Sequence, residues 1–229
     1  MLAIVAHPDD LEYGASSAIA RWTKQGKQIA YVIATSGEAG IDAVTPQDAA
    51  LLRQTEQRRS AAIVGVSDVE FLNYPDGTVE YGPRLRRDLT RSIRRFKPDV
   101  ILTATYALTY GPDILNQADH RHVGLAALDA TRDAANRWIF PELLDEALEP
   151  WPGVTHVYVM GSQDPQYGVD VTDTLADGVA SLRAHQTYID GLGRAFDPDG
   201  FLNAVTAEAG HALGVEHAVA LGRIQIAGV

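Results

Sequence analysis

Short apolar runs alternate with stretches of helical periodicity along most of this chain. The runs have the length of buried β-strands and lack the alternation of strands that keep one face in water. Between them, apolar positions recur every three to four residues, as on the buried side of a helix. The first strand, helix and second strand form a βαβ unit with parallel strands. The pattern therefore predicts an α/β fold with a mostly parallel sheet flanked by helices.

The predicted elements cover nearly the whole chain. Strands are expected at residues 2–6, 28–35, 69–72, 100–104 and 156–160. Helices are expected at residues 10–25, 45–64, 83–96, 119–138, 173–188 and 202–213. A short extended segment is expected at 169–172, and an edge strand or a tail at 218–226. We expect a single domain over 1–229, with a core of residues 1–190 and a C-terminal extension of helix and strand at 191–229.

A polar turn, His7-Pro8-Asp9-Asp10, follows the first apolar run directly. Pro8 has no N–H to donate, so a central strand must end near His7. In open α/β sheets, ligands bind at this carboxyl end of the strands. The adjacent carboxylates of Asp9 and Asp10 would repel each other unless a cation or hydrogen bonds offset them. We therefore expect two of the three ligand-type groups to hold a metal and one to act on a bound water.

A second cluster, Asp119-His120-Arg121-His122, begins the helix that follows the fourth strand. It lies at the same edge of the predicted sheet, so His120 is the best candidate for a third ligand. Two histidines and one carboxylate leave coordination positions open, which is typical of catalytic rather than structural metal sites. His122 points away from His120 on a helix, which favours a surface or supporting position.

The composition excludes several classes of function. The 229 residues carry a net charge of −11 and include no cysteine. The acidic balance argues against nucleic acid or an anionic membrane surface as a partner. Without cysteine there are no disulfides, thiolate metal sites or cysteine nucleophiles. No apolar run approaches the roughly 20 residues of a membrane span and no signal peptide is recognised, so we expect a cytoplasmic protein.

The stretch Ala6-His7-Pro8-Asp9-Asp10-x-Glu12-x-Gly14 resembles the signature of the PIG-L/LmbE-like de-N-acetylase family. That family includes deacetylases of N-acetylglucosaminyl-phosphatidylinositol and of the sugars in mycothiol and bacillithiol synthesis. Further matches keep the family order over residues 1–190: Thr35-Ser36-Gly37-Glu38-Ala39-Gly40, Arg53-x-x-Glu56, Gly65-Val66, Phe71-Leu72, Asp76-Gly77, Lys97-Pro98-Asp99-Val100, Asp119-His120 and Leu182-x-x-His185-x-Thr187. The resemblance implies a Rossmann-like fold, a Zn²⁺-dependent hydrolase of N-acetylated amino sugars, and a homo-oligomer.

The resemblance also assigns roles to residues of the two clusters. His7, Asp10 and His120 would be the metal ligands and Asp9 the general base, with Asp119 also in the catalytic set. Zn²⁺ lowers the pKa of a bound water from about 16 to about 7. Asp9 would accept the water proton and pass it to the departing amine.

One position departs from the family pattern. The second motif usually reads His-Pro-Asp-His, whereas this chain has Gln117-Ala118-Asp119-His120. In the catalytic set Gln117 can donate a neutral hydrogen bond to an oxyanion, but it cannot transfer a proton near pH 7. Three alternatives follow: Asp9 performs both proton steps, His122 substitutes for the missing histidine, or the enzyme is slow or inactive on family substrates.

The remaining matches would frame the substrate. Glu38 and Asp76 could each bind a sugar hydroxyl, Arg53 could hold the sugar or an anionic aglycone, and His122 is a further candidate contact. The structural alternative is a buried ion pair of Arg53 with Glu56 or Asp76 that braces the loops.

Three other functions compete with deacetylation. A two-His-one-carboxylate site also suits other metal chemistry, including Fe(II) oxygenation. A non-catalytic, metal-bearing sugar-binding module is made plausible by Gln117, although such a module would have no need of Asp9. A nucleotide-binding domain is disfavoured because no G-x-G-x-x-G follows the first strand.

Overall fold

A seven-stranded sheet forms the centre of the molecule. The structure is a computed structural model and describes residues 1–193 and 195–226. The strands are β1 (Leu2–Val5), β2 (Ala30–Thr35), β3 (Asp68–Tyr74), β4 (Val100–Ala104), the separate hairpin of β5 (Thr109–Tyr110) and β6 (Ile114–Leu115), β7 (His156–Met160), β8 (Tyr167–Asp170) and β9 (Ala218–Gln225). Their order in the sheet is β3-β2-β1-β4-β7-β9-β8. β1 to β4 and β7 are parallel, and β9 is antiparallel to both of its neighbours.

Helices cover both faces of this sheet, as the unbroken apolar strands require. The helices are α1 (Asp10–Gly14), α2 (Ser16–Lys24), α3 (Pro46–Ile63), α4 (Pro83–Phe96), α5 (Ala118–Ala135), a 3-10 turn (Pro141–Leu144), α6 (Leu175–Arg183), α7 (Gln186–Gly191) and α8 (Pro198–Leu213). Leu2 and Ile4 of β1 pack into a core with α4 and α5, while Ala3 and Val5 pack into a second core with α1, α2 and α3. Among the described residues, no helix is both long and apolar enough to cross a membrane.

Two helices that the sequence predicts as continuous are each broken in the structure. The helix expected at 10–25 is divided at Ala15, where φ is −147° and ψ is −4°. Gly14, just before the break, lies so close to Met160 that a Cβ would be 2.6 Å from the sulfur. The helix expected at 173–188 is divided into α6 and α7 around His185. Apolar periodicity survives both breaks, so it could not reveal them.

The prediction for residues 218–226 is wrong about their place in the sheet. They form β9, which is neither a tail nor an edge strand, because β7 pairs with one side of it and β8 with the other. The edge is β8, the short segment expected at 169–172. Val219 and Leu221 of β9 are buried in the same core as Met160. Arg194 and residues 227–229 of the predicted extension lie outside the described residues.

The loops that follow the first four strands gather at the carboxyl edge of the sheet. His7 follows β1, the loop with Glu38 follows β2, and Asp76 follows β3. The hairpin of β5 and β6 lies between β4 and α5, whose first turn carries His120. Parallel strand direction therefore brings every sequence segment with candidate chemistry to one edge.

Candidate metal centre and active site

The turn after β1 has an unusual backbone at Asp9. Its φ of 87° and ψ of −19° are left-handed, a conformation that costs a non-glycine residue on the order of 1–3 kcal/mol. The carbonyl of Asp9 accepts the N–H groups of Glu12 and Tyr13 at 2.8 and 3.1 Å, so Asp9 begins α1. Its side chain makes no capping hydrogen bond. The carboxylate that would ordinarily cap the helix is thus available for other contacts.

The side chain of Asp10 is oriented by the same turn. Its Oδ2 accepts the backbone N–H of Ala6 at 3.0 Å and that of His7 at 2.9 Å. The other oxygen, Oδ1, lies 3.0 Å from Nε2 of His120 and 3.8 Å from Nδ1 of His7. The two ring nitrogens are 3.0 Å apart.

These three donor atoms fit a single metal ion. A tetrahedral ion with ligands at about 2.0–2.1 Å separates its donor atoms by about 3.3 Å. The observed separations of 3.0, 3.0 and 3.8 Å bracket that value. Nitrogen, nitrogen and carboxylate oxygen are also the ligand types found at catalytic Zn²⁺ sites with an open position. The structure thus brings His7, Asp10 and His120 together as a candidate metal-binding group.

Two carboxylates lie behind His7. Its Nε2 is 3.1 Å from Oδ1 of Asp76 and 3.2 Å from Oδ2 of Asp119. Asp119 is only 1% exposed and also accepts the N–H groups of Gly77 and Val79. A metal-binding histidine commonly donates its second N–H to a carboxylate in this way, which fixes the tautomer and leaves Nδ1 as the ligand atom.

The ring of His120 is held by the β5–β6 hairpin and the residues after it. Its Nδ1 lies 2.7 Å from the hydroxyl of Tyr110 and 3.0 Å from Oδ1 of Asn116. Asn116 is fully buried, and its amide donates to the carbonyls of Thr105 and Ala107. That pair of bonds identifies Oδ1 as the acceptor for His120. The Nε2 atom of His120 is thereby directed at the ligand group.

The charge balance of the site also favours a cation. Burial alone would lower the pKa of His7, but Asp10, Asp119 and Asp76 outweigh it and raise that pKa well above its ordinary value. Burial alone would raise the pKa of Asp10, but His120 and His7 outweigh it and hold that pKa far below its usual range. Carboxylates that favour a proton on imidazole favour a divalent cation for the same Coulombic reason.

Arg53 contacts the candidate base directly. Its Nη2 is 3.1 Å from Oδ2 of Asp9 and donates to the carbonyl of Pro8 at 2.7 Å. The guanidinium lies 3.8 Å from the ring centre of Tyr188, and the residue is 3% exposed. Burial raises the pKa of Asp9 to about 6, and Arg53 acts against that rise.

The ion pair that the sequence left as an alternative for Arg53 is not the one observed. Its recorded carboxylate partner among the described residues is Asp9 rather than Glu56 or Asp76. Glu56 instead accepts the N–H of Thr187 at 2.7 Å. The Arg53 side chain therefore contacts the turn at Asp9, next to the metal-binding group, and stabilises that turn.

Glu38 and Asp76 join the loops that follow β2 and β3. Oε1 of Glu38 accepts the N–H of Asp76 at 2.9 Å, and its Oε2 accepts the N–H of Ser36 at 3.2 Å. In return, Oδ2 of Asp76 accepts the N–H of Ala39 at 2.9 Å. The two loops are thus locked together next to His7.

Among the described residues, neither Gln117 nor His122 has a hydrogen bond or ion pair with His7, Asp10 or His120. Gln117 occupies the N-cap position of α5 with an exposed side chain that makes no capping hydrogen bond. Nδ1 of His122 lies 2.6 Å from the carbonyl of Val79, in the loop after β3 whose N–H groups at Gly77 and Val79 bind Asp119. The structure therefore places His122 at the base of this loop.

Sequence reasoning missed three residues that hold the site: Gln57, Tyr110 and Asn116. Gln57 is four residues after Arg53 on α3, so the helical spacing could have indicated it. Asn116 and Tyr110 lie in a loop without periodicity and give no comparable signal. Their role depends on the fold of the hairpin, which only the structure reveals.

Comparison with solved structures supports the fold. The structure superimposes on N,N'-diacetylchitobiose deacetylase from Pyrococcus horikoshii, complexed with its inhibitor MPG, with a TM-score of 0.89 and 26% sequence identity. The match covers 98% of this chain and 83% of that one. The predicted α/β fold with a mostly parallel sheet is therefore confirmed.

Sequence comparison gives relatives of the same kind. The chain is 28% identical over 189 residues to diacetylchitobiose deacetylase of Thermococcus kodakarensis, covering 82% of this chain and 69% of that protein. It is 27% identical over 248 aligned positions to 1D-myo-inositol 2-acetamido-2-deoxy-alpha-D-glucopyranoside deacetylase of Kineococcus radiotolerans, covering 82% and 68%. The family model described as PIG-L, GlcNAc-PI de-N-acetylase, matches residues 2–131, which include both ligand-bearing segments. This chain belongs to the PIG-L deacetylase family.

Proposed function

We propose that this protein is a Zn²⁺-dependent hydrolase that removes the N-acetyl group from an N-acetylglucosamine-type sugar. One observation carries the proposal: the donor atoms of His7, Asp10 and His120 lie 3.0–3.8 Å apart, and the carboxylate of Asp9, the residue before Asp10, is close enough to interact electrostatically with His7 and Asp10. The relatives named above act on sugars that carry an N-acetyl group. A base next to a metal ligand suits the activation of water better than it suits binding alone.

The metal in this proposal would be held by Nδ1 of His7, Nε2 of His120 and Oδ1 of Asp10. A bound divalent ion supplies a Lewis acid and lowers the pKa of a coordinated water to about 7. Zn²⁺ is the ion that the family resemblance implies, and the donor set suits it. Asp76 and Asp119 hold the ring of His7, and Asn116 holds that of His120, so both ligands are oriented from behind.

Asp9 acts as general acid and base. It takes a proton from the attacking water, whose oxygen bonds to the acetyl carbonyl carbon. It then delivers the proton to the nitrogen as the carbon–nitrogen bond breaks, so acetate and the free amine leave. Arg53, at 3.1 Å, keeps the Asp9 carboxylate in place between these steps.

The substrate contacts extend outward from this centre. Glu38 and Asp76 bind backbone N–H groups, but each carboxylate oxygen has a second lone pair for a sugar hydroxyl. Gln117 is exposed beside the ligand-bearing first turn of α5, where its amide can donate to the oxyanion. His122 and Arg53 are the outer candidates, and their present partners are Val79 and Asp9.

The test is acetate release from N,N'-diacetylchitobiose, together with metal content by elemental analysis. We expect about one metal per chain, since one set of three ligands is available. Asp9→Asn should reduce kcat by roughly 10²–10⁴-fold with the metal retained, because a general base contributes that much. Asp173→Asn, an exposed carboxylate on the surface, serves as the matched control. Protein that stays metal-free after reconstitution with Zn²⁺ would contradict the proposal.

A sugar-binding module or a weakly active enzyme is the second candidate, and Gln117 favours it. The residue stands where the family pattern has a histidine and is exposed. If that histidine is needed, Gln117→His should raise acetate release from a panel of N-acetyl sugars. Metal-loaded protein that binds these sugars but releases no acetate, before and after the substitution, would favour the binding module.

A further inference from the structure

Helix α3 turns a polar stripe toward the protein interior. Arg53, Glu56, Gln57 and Ser60 recur at helical spacing and are 3%, 5%, 1% and 0% exposed. Burying polar side chains without partners is costly, so each of them needs a specific contact. Two of the four, Arg53 and Gln57, bind a single peptide group in the turn that follows β1.

That peptide group joins Pro8 to Asp9. The carbonyl of Pro8 accepts a hydrogen bond from Nη2 of Arg53 at 2.7 Å. The N–H of Asp9 donates to Oε1 of Gln57 at 2.8 Å. Arg53 and Gln57 are four residues apart, so they are neighbours on one face of α3. Both polar atoms of one peptide plane are therefore held by one turn of one helix.

The amide of Gln57 has only one orientation that satisfies its neighbours. Oε1 must face the N–H of Asp9, so Nε2 donates to Oε1 of Glu12 at 2.9 Å. The same oxygen of Glu12 accepts the hydroxyl of Ser60 at 2.7 Å. Glu12 is itself fully buried, so it depends on these hydrogen bonds from the stripe on α3. The hydrogen bonds therefore run in one direction, from the N–H of Asp9 to Gln57 and from Gln57 to Glu12. A flip of the Gln57 amide would place its NH₂ group against the N–H of Asp9, so this direction cannot be reversed.

The plane of this peptide determines where the Asp9 side chain points. A peptide plane rotates through ψ of the residue before it and φ of the residue after it, so holding both polar atoms holds φ of Asp9. That φ is 87°, which a residue with a Cβ adopts only when its surroundings impose it. Rotation of the plane would relieve the backbone at Asp9 and change the direction of the Cα–Cβ bond that carries the carboxylate, because φ turns about the bond next to Cα.

We propose that Gln57 is a positioning residue: together with Arg53 it holds the Pro8–Asp9 peptide plane, and thereby the Asp9 carboxylate, in the orientation that deacetylation uses. This rests on the proposed function, in which Asp9 is the base. Gln57 acts through Asp9 and touches no reacting atom. Its loss should therefore affect kcat, while substrate affinity and metal content stay nearly constant.

Gln57→Met tests this, because methionine keeps the volume but loses both hydrogen bonds. With N,N'-diacetylchitobiose as substrate we expect kcat to fall by about 10- to 100-fold, the usual cost of a displaced reacting group. KM and bound zinc should change little. Gln47→Met on the exposed first turn of α3 is the matched control and should behave as wild type. Wild-type kcat in Gln57→Met would overturn the proposal.

An exchange variant separates positioning from simple packing. In Glu12→Gln/Gln57→Glu the amide and the carboxylate trade places, so the Asp9 N–H still has an acceptor and the two side chains still bond to each other. We expect this double variant to recover most of the kcat that Gln57→Met loses. A folded, zinc-loaded double variant as slow as Gln57→Met would overturn the proposal.

Two measurements keep this proposal separate from the proposed function. If the wild type releases no acetate, the proposed function fails, and crystal structures of wild type and Gln57→Met decide on positioning alone. Positive φ at Asp9 in both would overturn it, and loss of positive φ in the variant would support it. If no variant folds, hydrogen exchange at the Asp9 amide of the wild type decides, with slow exchange expected and fast exchange contradicting.

Discussion

Two segments supply the candidate metal ligands, and they are held in different ways. The segment of His7 and Asp10 is buried, and its backbone is bound by side chains from the helix behind it. The segment of His120 borders a more exposed surface: the side chain of His120 is 12% exposed, close to the 9% of His7, but Gln117 beside it is exposed. The hairpin before it also presents apolar side chains to solvent, at Leu108, Ile114 and Leu115.

Under the proposed function, this difference separates two requirements of the chemistry. A group that transfers a proton must be held within a fraction of an ångström, which needs a rigid and buried support. A surface that admits a sugar must be accessible and can tolerate movement. The buried segment of His7 and Asp10 suits proton transfer, and the segment of His120 suits access for a sugar. Three experiments test this contrast.

Removal of the metal should have the largest effect. Chelation should abolish acetate release and lower the free energy of unfolding, by roughly 2.7 kcal/mol relative to protein with free metal at about 100-fold its Kd. We expect amide hydrogen exchange to increase mainly at residues 116–120 and little at 6–10, because the N–H groups of Ala6, His7 and Asp9 keep their bonds to side-chain oxygens. Equal loosening of both segments would contradict the contrast.

Substitution of Asn116 should have an intermediate effect. Asn116→Ala removes the acceptor behind His120, and loss of such an outer contact typically costs about 10- to 100-fold in metal affinity. Tyr110→Phe removes the other contact on the same nitrogen and keeps the ring, so it is the paired variant and should cost less. Competition with a chromophoric zinc chelator measures both. A greater loss for Tyr110→Phe would reverse the assignment of the hydrogen bonds.

The smallest effect concerns pH and the support of the first segment. Nε2 of His185 lies 3.7 Å from Oε2 of Glu12. Burial alone would lower the pKa of His185, but Glu12 outweighs it and Asp9 adds to the effect, so that pKa is raised. Above about pH 6.5, the pKa of histidine in the unfolded chain, His185 therefore stays protonated in the folded protein after it has lost its proton in the unfolded protein. The stabilisation that this proton gives is lost as pH rises further and passes the pKa of His185 in the folded protein.

Urea unfolding of the zinc-loaded protein at a series of pH values measures this loss. The free energy of unfolding should decrease as pH rises above about 6.5 in the wild type. His185→Gln should show a smaller decrease, because the titrating group is gone. An identical slope in both proteins would show that His185 does not carry this dependence.

The sequence predicted the elements that depend on local patterns. The first four strands and α3 to α5 follow from apolar periodicity and from Pro or Gly at the ends of helices. The meeting of His7, Asp10 and His120 follows from strand direction, because parallel strands end at one edge. Their roles in binding and catalysis stay predictions.

The features that the sequence did not predict depend on contacts between distant segments. The partner of Arg53 is set by the packing of α3 against the first turn, and so is the position of Gln57 under Asp9. The contact of Asn116 with His120 depends on the path of a hairpin. Local periodicity carries no information about such pairings.

The internal place of β9 has a consequence for how the chain is made. β9 follows every other described strand in the chain yet lies between β7 and β8, so the sheet stays incomplete until synthesis has passed Gln225. Before then, the backbone of β7 is an open edge with apolar side chains, which invites pairing with another chain. Emergence of β9 therefore completes this sheet long after the segments that carry the candidate metal ligands have been synthesised.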